Sequence, residues 1–101
     1  SLTAGKNPGQ VVTKPFVATG DRLLLNVDVS DEGEATVEVL DGDMQTIGGF
    51  ELSSSVPLRG RSIQQTVRWT TKSKWSQLAG RKVRLRIRIR NADLYALWTG
   101  K

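Results

Sequence analysis

The residues best suited to bind a ligand are arginines that alternate with apolar residues in RKVRLRIRIRNADLYALW, residues 81–98. A period of two is typical of a β-strand, so these side chains share one face and stand about 7 Å apart. The arginine row consists of Arg84, Arg86, Arg88 and Arg90. Guanidinium groups bind uronate or sulfate oxygens through paired hydrogen bonds, so the row, together with Arg68, could hold an acidic ligand. The same arginines could instead pair with acids on adjacent strands, and the candidates are Asp28, Glu34 and Glu38.

Aromatic side chains are the second candidate group, because sugar rings stack on exposed indole faces. Trp69 shares the parity of Val67 and is expected in the core. Trp75 lies in a loop, where it either caps the edge of the core or stands exposed. In the last strand Trp98 and Tyr95 have opposite parity, so the sequence predicts that one of the two faces outward as a stacking platform.

The composition removes most catalytic chemistry. The chain contains neither cysteine nor histidine, which excludes most zinc sites and every Ser-His or Cys-His arrangement. Glu34 and Glu38 lie about 13 Å apart along one strand, beyond the roughly 5 to 9.5 Å that separate paired glycosidase carboxylates. We therefore expect no enzymatic activity and no cofactor.

Acidic residues in two turns could supply oxygen ligands to a structural calcium ion, although the spacing assigns no ligand set. The candidates are Asp28, Asp31, Glu32, Asp41 and Asp43. Asp41-Gly42-Asp43 is in the first place a hairpin turn.

The net charge of +5 is divided unevenly along the 101 residues. Residues 1–51 carry a net charge of −6 and residues 52–101 carry +11. This asymmetry indicates either a polyanionic partner or acidic strands that lie beside basic strands in one sheet. The second interpretation is favoured, since the two halves of a sandwich normally interleave.

Turn signals divide the alternating segments into seven or eight short strands, which is typical of an antiparallel β-sandwich or jelly roll. The predicted strands cover residues 11–17, 22–29, 35–41, 46–50, 51–56, 63–69, 81–90 and 94–98.

Residues 1–10 are predicted to be a linker or tag-derived segment, and residues 11–101 a single domain. One helical turn is expected near 75–79. No run of 18 apolar residues exists, so no membrane-spanning helix is predicted.

The alternation also predicts which side chains form the core. They are Leu23, Leu25, Val27, Val37, Val39, Val67, Val83, Leu85, Ile87 and Ile89.

Five segments in order, VTKPF, RLLLNVDV, ATVEVLDGD, IGGFELSSSVPLRG and LAGRKVRLRIRIRNADLYALW, resemble a small β-sandwich module appended to bacterial, planctomycete-like glycoside hydrolases. The resemblance covers roughly residues 11–97. It implies a secreted, extracellular jelly-roll accessory domain beside a catalytic domain, with carbohydrate binding as its role and no catalysis. The chain departs from the family pattern at Trp75, Asn91 and Trp98, and its arginine row is more basic.

Three functional hypotheses follow. The first is a noncatalytic carbohydrate-binding module that tethers a parent enzyme in cis to its polysaccharide, with no specific nucleic acid and no membrane as partner. The second is a structural accessory domain whose exposed apolar residues, such as Leu24, Leu40 and Trp98, contact a neighbouring domain. The third and weakest is a polyanion-binding domain. For the first, the predicted ligand-binding residues are Arg68, Trp75, Arg84, Arg86, Arg88, Tyr95 and Trp98.

Overall fold

A computed structural model describes residues 2–4, 9–60 and 64–100 and has an all-β fold in which the strands pair antiparallel. The strands are β1 (Leu2–Ala4), β2 (Gly9–Val12), β3 (Phe16–Val17), β4 (Arg22–Leu40), β5 (Gln65–Thr66) and β6 (Lys82–Gly100). Two single turns of 3₁₀ helix cover Leu52–Ser54 and Trp75–Leu78, and the second confirms the helical turn expected there. No helix in this part of the chain is long and apolar enough to cross a membrane.

Two long strands, β4 and β6, form a ribbon to which the rest of the sheet is attached. Each has 19 residues, and they pair from Arg22 opposite Gly100 to Leu40 opposite Arg84. The structure therefore does not confirm the predicted seven or eight short strands, because β4 and β6 are each long and continuous. The turns predicted at residues 30–33 and 91–93 are irregularities inside continuous strands. Residues 46–56 form no strand, only isolated bridges and a 3₁₀ turn.

The largest irregularity lies in the middle of the ribbon, where the pairing passes from Val29 opposite Ala92 to Glu34 opposite Arg90. Four residues of β4 there face Asn91 alone, which has a positive φ of 47°. A β-carbon on Gly33 would stand 2.5 Å from the carbonyl oxygens of Arg90 and Asn91. Only glycine permits this close approach of the two backbones, so Gly33 fixes the position of the bulge.

The ribbon has to bend. A straight strand of 19 residues would span about 60 Å, whereas the longest dimension of the protein is 34 Å. Residues from both halves of β4, such as Leu25 and Val39, belong to the same core cluster. The two halves of the ribbon therefore enclose one core.

The N-terminal segment pairs with the free edge of β6. Leu2 lies opposite Leu94, Gly9 opposite Ile89 and Phe16 opposite Val83. The linker predicted for residues 1–10 thus contains strand β1 and the start of β2, because the edge of β6 offers unpaired backbone groups to this segment. At the other edge of the ribbon, β5 pairs with β4.

The core matches the predicted alternation. All ten side chains predicted to be buried are buried, and Trp69 joins them. Ile63, in the strand predicted at 63–69, lies outside the described residues.

Leu24 and Leu40 are buried although alternation placed them on the outward face, so their predicted part in an interdomain contact is wrong. Leu24 lies between Trp98 and Thr66, and Leu40 between Arg84 and Thr46.

Candidate functional site

The arginine row lies on the outward face of β6 and is opposed by alternating partners on β4. Arg86 lies opposite Glu38, and Arg90 lies opposite Glu34. Thr36 opposes Arg88, and Leu40 opposes Arg84. The acids therefore neutralise two of the four arginines, as expected for acidic and basic strands that lie side by side.

The pair of Arg86 and Glu38 is the more buried of the two ion pairs. Nη1 of Arg86 donates to Oε1 of Glu38 at 2.5 Å, and the hydroxyl of Thr46 donates to Oε2 at 3.2 Å. The side chain of Glu38 is only 8% exposed. Both of its oxygens already have donors, so this pair stabilises the ribbon instead of being open to a ligand.

The second pair is closer to solvent. Nη2 of Arg90 lies 3.1 Å from Oε1 of Glu34, and the two side chains are 42% and 32% exposed. Asp28, the third acid expected to neutralise the row, is not opposite an arginine. It lies opposite Asp93, because the four extra residues of the bulge separate it from the arginine segment.

Arg88 is the arginine of the row that is best placed for a ligand. It is exposed and, within the residues that the structure describes, it has neither a carboxylate partner nor a side-chain hydrogen bond. Arg84 is half-buried, and its Nε finds no hydrogen-bond acceptor in the same part of the chain.

A cleft of about 580 Å³ opens beside Arg88. We call it the polar cleft, and its walls include Glu34, Thr36, Glu51, Ser53 and Arg88. One oxygen of Glu34 accepts from Arg90, and one oxygen of Glu51 accepts from the backbone N–H of Gly49 at 2.7 Å. The other oxygen of each carboxylate has no hydrogen-bond partner among the described residues. The cleft therefore offers two oriented acceptors and one cationic donor to a ligand rich in hydroxyl groups.

The structure places Trp75 in the core, with 3% of its surface exposed. Its Nε1 donates to the carbonyl of Thr19 at 2.9 Å, and its ring stacks on Phe16 at 6.3 Å between centroids. Of the two positions that the sequence left open for Trp75, the structure shows the one in the core, because the 3₁₀ turn that begins at this residue directs the indole inward. The alternative of an exposed stacking platform is wrong. Trp69 is also buried, with Nε1 bonded to the carbonyl of Val37.

Tyr95 and Trp98 are both exposed, at 53% and 37%. The prediction that only one of them faces outward assumed an unbroken alternation. The pairing of β6 shifts between Ala96, opposite Asn26, and Leu94, opposite Val27, so that Tyr95 is an extra residue. This bulge changes the phase of the strand and leaves both aromatic rings outside.

A second cleft, of about 490 Å³, contains Arg68. We call it the basic cleft, and its charged residues are Asp21, Arg22, Arg68, Lys72 and Lys74. Of these, only Arg68 was a predicted ligand-binding residue. The sequence shows Lys72 and Lys74 just before Trp75. Arg22, in contrast, comes close to Arg68 only because β4 pairs with β5.

No group of three or more acidic residues in the described part of the chain could hold a metal ion. Asp41, one of the candidate calcium ligands, uses Oδ1 to accept hydrogen bonds from the backbone N–H groups of Asp43 and Gln45. It therefore closes the hairpin turn that the sequence predicted.

A comparison of the chain with known protein families, curated proteins and solved structures found no match. The resemblance to a glycoside hydrolase accessory module thus remains an expectation from the residues.

Proposed function

We propose that this protein is a noncatalytic carbohydrate-binding module that attaches a parent polysaccharide-active enzyme to its substrate outside the cell. The observation that carries the proposal is the polar cleft, in which Glu34 and Glu51 each hold one oxygen open beside the exposed guanidinium of Arg88. Sugar hydroxyls are both donors and acceptors, so a carboxylate and a guanidinium side by side suit adjacent hydroxyls of one ring.

The fold supports this proposal. The ribbon bends around one core, as the two sheets of a sandwich or jelly roll do. The polar cleft lies on the rigid ladder of β4 and β6, so three of its side chains, those of Glu34, Thr36 and Arg88, are positioned by backbone pairing. A preorganised site loses less conformational entropy when it binds.

The test is binding of the full chain to a panel of polysaccharides that includes xylan, mixed-linkage β-glucan, dextran and pectate, followed by calorimetry. We expect Arg88→Ala to weaken binding to the recognised polysaccharide by about tenfold, since a hydrogen bond to a charged group contributes about 1.5–3 kcal/mol. Arg81→Ala is the matched control, because Arg81 is exposed and lines neither cleft. Equal affinity in Arg88→Ala and the control would place the site elsewhere.

A second candidate function is a structural accessory domain that packs on a neighbouring domain. The exposed aromatic rings of Tyr95 and Trp98 favour it, because they form the largest apolar side chains left at the surface of the last strand. Two results together would select this function. The first is that no polysaccharide binds. The second is that the linkage to the neighbouring domain resists proteolysis in the wild-type protein but is cleaved in Tyr95→Ala/Trp98→Ala.

A further inference from the structure

The basic cleft differs from the polar cleft in its charge. Among the described residues, four cationic side chains and one carboxylate line it, and together these carry a net charge of +3. In the part of the chain that the structure describes, Arg68, Lys72 and Lys74 have no carboxylate partner. Like charges that converge in excess of the counter-charge raise the local affinity for anions.

Backbone pairing brings the two arginines together. Leu24 lies opposite Thr66, and the N–H of Val67 donates to the carbonyl of Leu23, so the register continues past β5. Arg22 and Arg68 each lie two residues beyond the pair of Leu24 and Thr66. Side chains two residues apart in a strand share a face, so both arginines point to the same side of the sheet and into the cleft.

The lysines are held by a loop that is fixed at both ends. The hydroxyl of Thr71 donates to the carbonyl of Gly49 at 2.7 Å and accepts from the backbone N–H of Ser73 at 3.2 Å. Gly49 has a positive φ of 93°, a conformation that other residues rarely adopt, and its lack of a side chain leaves room for Oγ of Ser73. At the other end, Nε1 of Trp75 bonds to Thr19. Lys72 and Lys74 thus lie in a loop whose position is fixed by hydrogen bonds before any ligand binds.

We propose that the basic cleft binds sulfate or carboxylate groups of an acidic polysaccharide. The choice of a polysaccharide rests on the proposed function, whereas the anion site itself rests on Arg68, Lys72 and Lys74. Single-stranded nucleic acid fits this cleft less well, because its bases need exposed aromatic faces for stacking. Trp69 and Trp75, the aromatic residues that border the cleft, are buried and use their indole N–H groups inside the protein.

The experiment compares dextran sulfate with dextran, which has the same backbone without the sulfate groups, at 50 and 200 mM salt. The variant is Arg68→Ala/Lys72→Ala. Its matched control is Arg81→Ala/Lys82→Ala, which removes the same two charges from exposed positions outside both clefts. Thermal unfolding of each variant verifies that it is folded.

We expect the cleft variant to bind dextran sulfate about tenfold more weakly than the control, with a shallower dependence on salt, because two charge-assisted contacts are lost. An equal loss in both double variants would show attraction by net charge alone and would overturn the proposal. So would tighter binding of oligo(dT) than of dextran sulfate, if the cleft variant lost that binding, since the partner would then be nucleic acid.

The two clefts can be tested independently of each other. The Arg88→Ala variant reports on the polar cleft through a polysaccharide from the panel, and the Arg68→Ala/Lys72→Ala variant reports on the basic cleft through the sulfate groups. Loss of one effect leaves the other measurable.

Discussion

The arginine row and the basic cleft are both rich in cations, but their surroundings differ. In the row, Glu38 and Glu34 lie directly opposite Arg86 and Arg90 across one ladder. Among the described residues that line the cleft, Asp21 is the only one with a carboxylate. A dense run of arginines can thus be partly neutralised by the neighbouring strand, whereas cations from separate segments of the chain can converge in one cleft with a net positive charge.

The largest effect is expected at the centre of the row. Arg86→Ala should lower the free energy of unfolding by about 2–3 kcal/mol, because it leaves the nearly buried carboxylate of Glu38 without its cation. This is less than the roughly 3–5 kcal/mol of a fully buried pair, since the side chain of Arg86 is partly exposed. Urea denaturation measures it.

The companion variant Arg86→Ala/Glu38→Gln serves as its control. A neutral amide is less costly to bury than a carboxylate and can still accept from Thr46, so part of the lost stability should return. A loss below about 0.5 kcal/mol in Arg86→Ala would contradict the structural role of this pair.

A smaller effect is expected at the outer pair. Arg90→Ala should lower the free energy of unfolding by about 0.5 kcal/mol, because both partners are partly exposed and water screens their attraction. Denaturation in low and high salt verifies the prediction, since most of this contribution should vanish in high salt. A loss as large as that of Arg86→Ala would mean that Glu34 is as dependent on its partner as Glu38.

The smallest effect on stability is expected in the cleft. Arg68→Ala should change the free energy of unfolding by less than about 0.5 kcal/mol, because the side chain is exposed and has no carboxylate partner among the described residues. A loss above about 1 kcal/mol in urea denaturation would show that Arg68 stabilises the fold, and the contrast between the two regions would disappear.

Alternation in the sequence is enough to predict most of the core and the extended conformation of the two long strands. Period-two alternation is a local property of an extended chain, so it identified Leu25, Val39 and Ile87 without knowledge of their neighbours. The turn at Asp41 was readable for the same reason, since its side chain bonds to backbone groups two and four residues away.

The positions at which this local pattern breaks depend on contacts between distant segments of the chain. The bulges at Gly33 and Tyr95 arise from the pairing of β4 with β6, whose residues are distant in the sequence, and the bulge at Gly33 sets which acids lie opposite the arginines. The burial of Leu24 and Trp75 depends on the segments that cover them. The basic cleft unites Arg22 with Arg68 through pairing that no local pattern contains. Alternation assigns a side chain to a face, but register and packing determine what that face meets.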